Sequence, residues 1–288
     1  MTQPTIQVQD LTYRYGSLTA VDHISFDVGE GEILGFLGPN GAGKTTTLRM
    51  LTGQLRPQEG HANLLGLDIT QKTTHIQAQI GVCFETANLY EGMNAVENLS
   101  FFARLFGIRN LDVAGLIQRV GLEGRERDRV ESFSKGMKQR LMIARALVNQ
   151  PRILFLDEPT EGLDPVSAEA IRNLIIEEQQ RGATIFLTTH DMLEADRLSD
   201  RVAFISQGRI VALDTPHNLK QQYGKRLVKA QVSGEDGHLE ARQITLDTPH
   251  TAEALQTLFS QEQVVTIHSE EASLEDIFIK LTGQRLTQ

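Results

Sequence analysis

Alternating apolar and polar residues mark the beginning of the chain. Residues 6–15 and 21–28 alternate in this way, and Ile24 and Phe26 fall on one face of the second segment. A period of two residues is typical of a strand with one buried face. Because the turn Gly29-Glu30-Gly31 follows, we expect an antiparallel β layer near the N-terminus.

Later segments are apolar almost without interruption, which is typical of strands buried on both faces of a sheet. They lie at residues 33–37, 80–84, 153–156 and 184–189. Residues 201–205 and 209–213, joined at Gln207-Gly208, predict a hairpin. Residues 53–74 are predicted to be rich in turns. The fold class predicted is α/β, with a mainly parallel core sheet.

Between the second and third buried strands the apolar period becomes that of helices. Three helical patterns lie at residues 94–106, 113–120 and 134–147. Asn94 can cap the first of them, since Glu97 follows three residues later. We therefore predict a helical subdomain, at about residues 86–150, inserted into the α/β core.

The pattern changes again near residue 215. Strand-like segments and helical segments alternate beyond it, at 227–232, 241–246, 252–259, 264–268 and 273–281. None of them carries a phosphate or metal motif. We predict a first domain over residues 1–220 and a small α+β domain over residues 221–288, suited to interaction or regulation.

Composition narrows the possible partners and the compartment. The net charge of −9 leaves no excess of basic residues, so nucleic acid is not an expected partner. Cys83 is the single cysteine, and the segment Met1-Thr2-Gln3-Pro4 lacks the pattern of a secretion signal, which together favour a reducing, cytoplasmic location. No apolar segment approaches the roughly 20 residues that cross a bilayer, so a membrane role would require a partner.

A glycine-rich turn follows the first buried strand and opens a helix. It consists of Gly38, Pro39, Asn40, Gly41, Ala42, Gly43, Lys44, Thr45 and Thr46. Backbone amides of such a turn converge on one point, where the helix dipole adds positive charge. A side chain at Gly38, Gly41 or Gly43 would restrict the backbone and block its approach to phosphate. Lys44 would contact the β- and γ-phosphates as a catalytic group, and the Thr45 hydroxyl can ligate Mg²⁺.

Polar side chains end the other buried strands. Asp157 would hold Mg²⁺ directly or through water, and Glu158 would orient and polarise a water for attack on the γ-phosphate. Glu85 lies where open α/β sheets place ligands, although a solvated loop acid is an equal alternative. His190 is either structural or a γ-phosphate contact. Asp164 is explained by helix capping alone.

In this order the motifs resemble those of the ATP-binding subunit of ABC transporters. They are Walker A at residues 38–46, the signature Ser134-Lys135-Gly136-Met137-Lys138-Gln139, Walker B at 153–158, the D-loop Gly162-Leu163-Asp164 and the switch histidine His190. The similarity extends from about residue 6 to residue 213. It implies the P-loop NTPase fold of ABC ATPases, an ATPase activity with ATP and Mg²⁺, and a γ-phosphate contact for His190.

The resemblance also implies an ATP site that two subunits share. Two copies, as a homodimer or pseudo-dimer, would pack head to tail, so that ATP on one phosphate loop is covered by Ser134 and Gly136 of the other subunit. A helix N-terminus at Ser134 suits this role because its free amides and dipole favour phosphate. Asp164 would communicate across the dimer. Tyr15, which by its sequence alone is a packing aromatic, would stack on adenine as the family's aromatic residue does.

Two departures from the family pattern point to one branch of it. The signature contains Phe133-Ser134-Lys135-Gly136-Met137 where the family usually has Leu-Ser-Gly-Gly-Gln, and Glu85 takes the place of the Q-loop glutamine. A carboxylate can ligate Mg²⁺ but cannot donate a hydrogen bond when ionised. Both variants, with the tail at 273–283, resemble exporters of drugs, antibiotics, lipid-linked molecules or ions. These act through a separately encoded transmembrane permease, which would place the chain at the cytoplasmic face of the membrane.

Two alternatives come from other classes of protein. A soluble ABC ATPase acting on nucleic acid or ribosomes would be expected to have coiled-coil insertions or two fused ATPase halves, whereas this chain has one set of motifs and no heptad pattern. A nucleotide-sensing module without turnover would be expected to lack the catalytic acid, whereas Glu158 is present.

Overall fold

The structure of the chain, a computed structural model, describes residues 4–225, 227–233, 238–246 and 248–284. The chain forms two compact units, Met1–Leu213 and Asp214–Gln288. The first unit contains two β-sheets, and the second contains a smaller one. Within the described ranges, no helix is long and apolar enough to cross a membrane.

A six-stranded sheet forms the centre of the first unit. In spatial order its strands are β10 (Arg209–Asp214), β9 (Arg201–Ser206), β3 (Ile33–Leu37), β8 (Thr184–Thr189), β7 (Ile153–Asp157) and β6 (Ile80–Cys83). The strands from β9 to β6 pair in parallel, which confirms the predicted core sheet. Since β8 lies between β3 and β7, the carboxyl ends of these three strands are neighbours at one edge of the sheet.

The continuous apolar character of these strands follows from burial on both faces. Alternate residues of β7 enter different hydrophobic clusters, Leu154 and Leu156 in one and Ile153 and Phe155 in the other. Each strand therefore needs apolar side chains at successive positions.

A second sheet of four strands confirms the predicted antiparallel layer. In spatial order it contains β2 (Leu18–Val28), β1 (Ile6–Tyr15), β4 (Glu59–Leu64) and β5 (Leu67–Asp68). The sequence predicts only turns over residues 53–74, where β4 and β5 lie. The polar β4 forms because it pairs antiparallel with β1, a contact distant in sequence that local patterns do not reveal.

Helices pack against strands of the first unit. They are α1 (Lys44–Leu51), α2 (Thr73–Gln77), α3 (Ala95–Leu105), α4 (Val113–Arg119), α5 (Lys135–Ala146), α6 (Pro165–Gln180) and α7 (Met192–Leu198). The predicted helices α3, α4 and α5 lie between β6 and β7, and Asn94 caps α3 through a capping box with Glu97. The sequence pattern does not predict α7, a helix of 7 residues whose buried positions include Glu194.

The second unit contains a three-stranded antiparallel sheet and three helices. Its elements are α8 (Pro216–Tyr223), β11 (Leu227–Ser233), β12 (Leu239–Thr245), α9 (Thr251–Gln261), β13 (Gln263–Glu270) and α10 (Leu274–Thr282). β11 lies between β12 and β13, and Leu258 of α9 packs against Ala230 and Val232. α8 packs against α10, and this compact unit begins at Asp214.

Candidate active site

The glycine-rich loop connects β3 to α1. Gly41 and Gly43 have φ angles of 80° and 111°, in the left-handed region that favours glycine. The amide of Ala42 donates to the carbonyl of Pro39 at 3.1 Å and closes the turn. The first amides of α1 have no carbonyl one turn before them within the helix. The loop therefore offers free amides and the positive end of a helix dipole to an anion.

Close packing against neighbouring strands provides a further reason for glycine in this loop. The φ angle of Gly38 is not in the left-handed region, yet a Cβ there would lie 2.2 Å from the carbonyl oxygen of Ile205. A Cβ at Gly43 would lie 2.5 Å from the carbonyl oxygen of Ala20. Neither position can accommodate a side chain, because a Cβ would clash with β9 at one and with β2 at the other.

Lys44 is the first residue of α1, and its ammonium group lies beside the glycine-rich loop that precedes the helix. Nζ donates to the carbonyl of Gly38 at 2.7 Å and lies 3.2 Å from Oε1 of Glu158. Both charged side chains are 6% exposed, so water screens their attraction only weakly. The structure thus brings together the lysine and the acid that the sequence nominates as catalytic.

Asp157 ends β7 and faces two hydroxyl groups. Its Oδ1 accepts hydrogen bonds from Thr188 at 2.5 Å and from Thr45 at 3.3 Å. Mg²⁺ prefers oxygen ligands and keeps several waters and substrate phosphates in its shell. The hydroxyl of Thr45 and the carboxylate of Asp157 fit that chemistry. In the described ranges, histidine, cysteine and acidic side chains form no cluster of three that would hold a metal without a nucleotide.

Glu158 and His190 are in direct contact. Oε2 of Glu158 lies 2.9 Å from Nδ1 of His190 and accepts the backbone N–H of His190 at 3.3 Å. The φ angle of Glu158 is 49°, and its own N–H donates to the carbonyl of Thr188 at 3.0 Å. A non-glycine residue in this region of φ is uncommon and frequently marks a functional site.

Two polar residues at this edge of the sheet have no motif to identify them. Thr188 holds Asp157, and Glu194 of α7 is buried and accepts hydrogen bonds from the hydroxyls of Thr160 and Thr189. The sequence assigns Thr188 and Thr189 only to a buried strand. Their hydroxyls at the carboxyl end of a strand with an apolar middle are the one signal that could have indicated polar partners.

Glu85 follows β6 at the same edge of the sheet and is exposed. Partial desolvation raises the pKa of its carboxyl group, and the negative charges of Glu161, Asp157 and Glu158 raise that pKa further. No hydrogen bond among the described residues joins Glu85 to Thr45 or Asp157. The structure therefore places it near the acids without making it part of their hydrogen-bonded network.

The signature residues form a separate group. Ser134 caps α5 and is exposed, and a Cβ at Gly136 would lie 2.7 Å from Oγ of Ser167. Asp164 caps α6 and accepts the N–H of Ser167 at 3.0 Å. Across the described part of the chain, no hydrogen bond connects this group to residues 38–46. One copy of the chain thus brings Walker A and Walker B together and leaves the signature apart from them.

Tyr15 ends β1 with 43% of its surface exposed. Its ring makes an edge-to-face contact with Tyr13, with 4.8 Å between the ring centroids. The contact fixes the ring and leaves part of it open, an arrangement that can accept a flat aromatic partner.

The phosphate loop, the acid pair and the histidine at adjacent strand ends define a P-loop nucleoside triphosphatase. Residues 21–161 match the family model described as ABC transporter. The chain is 45% identical over 284 residues to the fluoroquinolones export ATP-binding protein of Mycobacterium tuberculosis (strain CDC 1551 / Oshkosh), which covers 98% of this chain and 94% of that protein. It is 37% identical over 310 residues to the Nod factor export ATP-binding protein I of Burkholderia orbicola (strain AU 1054), with 99% of each covered. The chain belongs to the ABC transporter family, among the ATP-binding subunits of exporters.

Solved structures agree with this assignment. An ATP-binding subunit of an ABC transporter superposes with a TM-score of 0.70 at 31% identity, covering 76% of this chain and 93% of that one. An ATP-binding cassette described as a dimer in a post-hydrolysis state, bound to ADP and Pi, superposes with a TM-score of 0.67 at 26% identity, covering 73% and 98%. The predicted ABC-ATPase fold is confirmed.

Membership of this family defines the general activity of the chain and the kind of assembly in which it acts. It is an ATP-binding subunit and an ATPase of an export system. Such a subunit implies a transmembrane partner and a dimeric arrangement of ATPase subunits. The alternative of a soluble ABC ATPase acting on nucleic acid or ribosomes is not supported by these relatives.

Proposed function

We propose that this chain hydrolyses MgATP to power export through a separately encoded transmembrane permease. The observation that carries the proposal is the chain of contacts from Lys44 to Glu158 to His190, beside Asp157 and Thr45. A cation, a carboxylate that could act as a base and two oxygens that could bind a metal therefore lie together next to the phosphate loop. In-line phosphoryl transfer to water needs these groups and little else from a protein.

Each group has a distinct role in the proposed reaction. The loop amides at residues 38–46 and Lys44 would bind the phosphates. Thr45 and Asp157 would hold Mg²⁺, which would supply positive charge to offset that of the phosphates. Glu158 takes a proton from the attacking water as general base. His190, now in contact with Glu158, reaches the γ-phosphate.

The site becomes complete in a head-to-tail dimer of two copies. Ser134 is exposed at the N-terminus of a 12-residue helix, so its first-turn amides can face the γ-phosphate held by a second subunit. Gly136 and Asp164 lie beside it and would form the same contact surface. Tyr15 would stack on adenine. A pseudo-dimer with a related subunit would satisfy the same geometry.

Among the described residues, Glu85 forms no hydrogen bond with Thr45 or Asp157. Its exposed carboxylate would contact Mg²⁺ through water. Residues 1–220 would act as the ATP-binding domain with the helical subdomain at about 86–150 as the permease-facing part, and residues 221–288 as an accessory domain.

The proposed location is the cytoplasmic face of the membrane, where ATP is available and a permease can be contacted. The cargo class follows that of the relatives, whose names specify fluoroquinolones and Nod factor, so a drug-like, antibiotic or lipid-linked molecule is the first to test.

Affinity purification from detergent-solubilised membranes tests this function. The tagged chain should co-purify with a polytopic membrane protein, and the complex should hydrolyse ATP in a Mg²⁺-dependent manner. A complex prepared with Glu158→Gln should contain the same membrane protein without that activity. Recovery of the chain on ribosomes or nucleic acid, with no membrane protein, would contradict the proposal.

A further inference from the structure

A buried carboxylate joins the two segments that bear the catalytic acid and the switch histidine. Glu194 is 3% exposed, and its Oε1 accepts the hydroxyl of Thr160 at 2.6 Å while its Oε2 accepts the hydroxyl of Thr189 at 3.3 Å. Thr160 comes two residues after Glu158, and Thr189 comes directly before His190. We call the two hydrogen bonds Thr160–Glu194–Thr189 the bridge. It links the same two segments as the direct contact between Glu158 and His190.

The end of the bridge at Thr189 is held by a further hydrogen bond. The Thr189 hydroxyl donates to Glu194 and accepts the N–H of Asp191 at 2.9 Å, so both peptide neighbours of His190 are held. Asp191 in turn caps α7 and accepts the N–H of Glu194 at 3.1 Å. These bonds close a ring, and rings of this kind resist displacement of any single member.

Burying this carboxyl group is costly. Desolvation by burial raises the pKa of Glu194, and the negative charge of Asp191 raises it further. No lysine or arginine forms an ion pair with Glu194 in the described ranges, and its two side-chain donors are neutral hydroxyls. An apolar residue would fill the position at lower cost. A function for the bridge is therefore a better explanation than packing.

The direct contact between Glu158 and His190 uses one carboxylate oxygen, Oε2 of Glu158. In the proposed reaction both side chains also have to meet the substrate, Glu158 at the attacking water and His190 at the γ-phosphate, so the segments that carry them need support beyond this contact. We propose that Glu194 is a positioning residue of the ATPase site, whose carboxylate keeps the segments of Glu158 and His190 in register while they act on the substrate. This inference rests on the proposed function, because it takes Glu158 as the base and His190 as the γ-phosphate contact.

Positioning and packing predict different results for substitution. If Glu194 only fills the core, its removal lowers the melting temperature and leaves kcat of the folded protein unchanged. If it positions the site, kcat falls while KM for ATP stays within about threefold, because no hydrogen bond among the described residues joins Glu194 itself to residues 38–46. Misplacement of catalytic groups by about 1 Å costs on the order of 100-fold in rate.

The test measures steady-state ATP hydrolysis by the full chain in its permease complex. Glu194→Ala and Thr160→Val should each lower kcat by about 10- to 100-fold. Thr160→Ser keeps the hydroxyl and should retain most of the activity, and Glu194→Gln should lie between the wild type and Glu194→Ala. Because both substitutions break one bridge, the double variant Thr160→Val/Glu194→Ala should be no slower than Glu194→Ala.

Glu178→Ala provides the matched control. Glu178 of α6 is also buried, but its carboxylate pairs with Arg119 of α4 rather than with the site. Its removal should lower the melting temperature and leave kcat unchanged. If Glu194→Ala does not fold, the comparison of Thr160→Val with Thr160→Ser still decides the matter. Valine keeps the shape of threonine and lacks the hydroxyl, whereas serine keeps the hydroxyl and lacks only a methyl group.

The outcomes separate the two claims. Wild-type kcat in folded Glu194→Ala, or equal activities of Thr160→Val and Thr160→Ser, would overturn the positioning role while Glu158→Gln still abolished turnover. Retained turnover in Glu158→Gln would instead overturn the proposed function.

Discussion

The ammonium of Lys44 lies 3.2 Å from the carboxylate of Glu158, in a position where both side chains are almost fully buried. Breaking such a pair is costly unless each charge gains another partner. The phosphates of ATP offer Lys44 that partner, and the attacking water offers one to Glu158. We infer that ATP binding exchanges this ion pair for contacts to substrate and so frees the base.

Lys44→Ala should weaken nucleotide binding itself. A charge-assisted hydrogen bond contributes about 1.5–3 kcal/mol, so the Kd for ATP should rise by roughly 10- to 100-fold in calorimetry. Lys72→Ala, which removes an exposed lysine of the same unit, is the matched control and should bind as the wild type does. Unchanged affinity in Lys44→Ala would contradict the role of the loop.

Two glycines of the loop should respond differently to alanine. Both Gly41 and Gly43 have positive φ, but an added Cβ meets nothing within 4 Å at Gly41 and lies 2.5 Å from the Ala20 carbonyl oxygen at Gly43. Gly41→Ala should therefore cost only backbone strain, about 1 kcal/mol, whereas Gly43→Ala should also displace β2. Melting temperatures measured side by side test this order, and equal losses would show that the contact to Ala20 is unimportant.

Glu85 should make stability depend on pH. Its pKa is raised in the folded protein, so its contribution is fully present below the pKa of the unfolded chain and is lost as pH rises through the folded value. At neutral pH the ionised group repels Asp157, Glu158 and Glu161. Glu85→Gln should therefore melt at a higher temperature than the wild type at pH 7, and the difference should shrink as pH falls through the raised pKa. A difference independent of pH would exclude ionisation of Glu85 as its cause.

Truncation after Leu213 should leave the nucleotide site chemically complete. Every residue assigned to ATP or Mg²⁺ precedes this position, and the first compact unit ends there. ATP affinity should be retained, while dimerisation or assembly with the permease should change. Lost affinity in truncated protein that remains folded by circular dichroism would assign the second unit a part in the site.

Much of the site could be predicted because its residues follow continuous apolar strands. The positions of Asp157, Glu158 and His190 at strand ends required only the recognition of β7 and β8, and a parallel sheet brings such ends together. The polar β4 was not predictable, since its pairing with β1 depends on residues far away in sequence.

The bridge of Glu194 could not be predicted either. A helix of 7 residues gives too few apolar positions to define a period, and an acid within it is expected to face solvent. Its burial depends on Thr160, in the turn after β7, and on Thr189, the last residue of β8. Likewise, the need for glycine at position 38 comes from the carbonyl of Ile205 rather than from local backbone conformation.

The central claim, that Glu158 activates water for hydrolysis at a site that ATP closes between two subunits, is tested most directly by Glu158→Gln. Glutamine keeps the size of the side chain but cannot accept a proton as a carboxylate does. ATP affinity should be retained, hydrolysis should fall by at least about 100-fold, and ATP should hold the variant as a dimer in light scattering during size-exclusion chromatography. Undiminished hydrolysis, or a monomer at saturating ATP, would contradict the account.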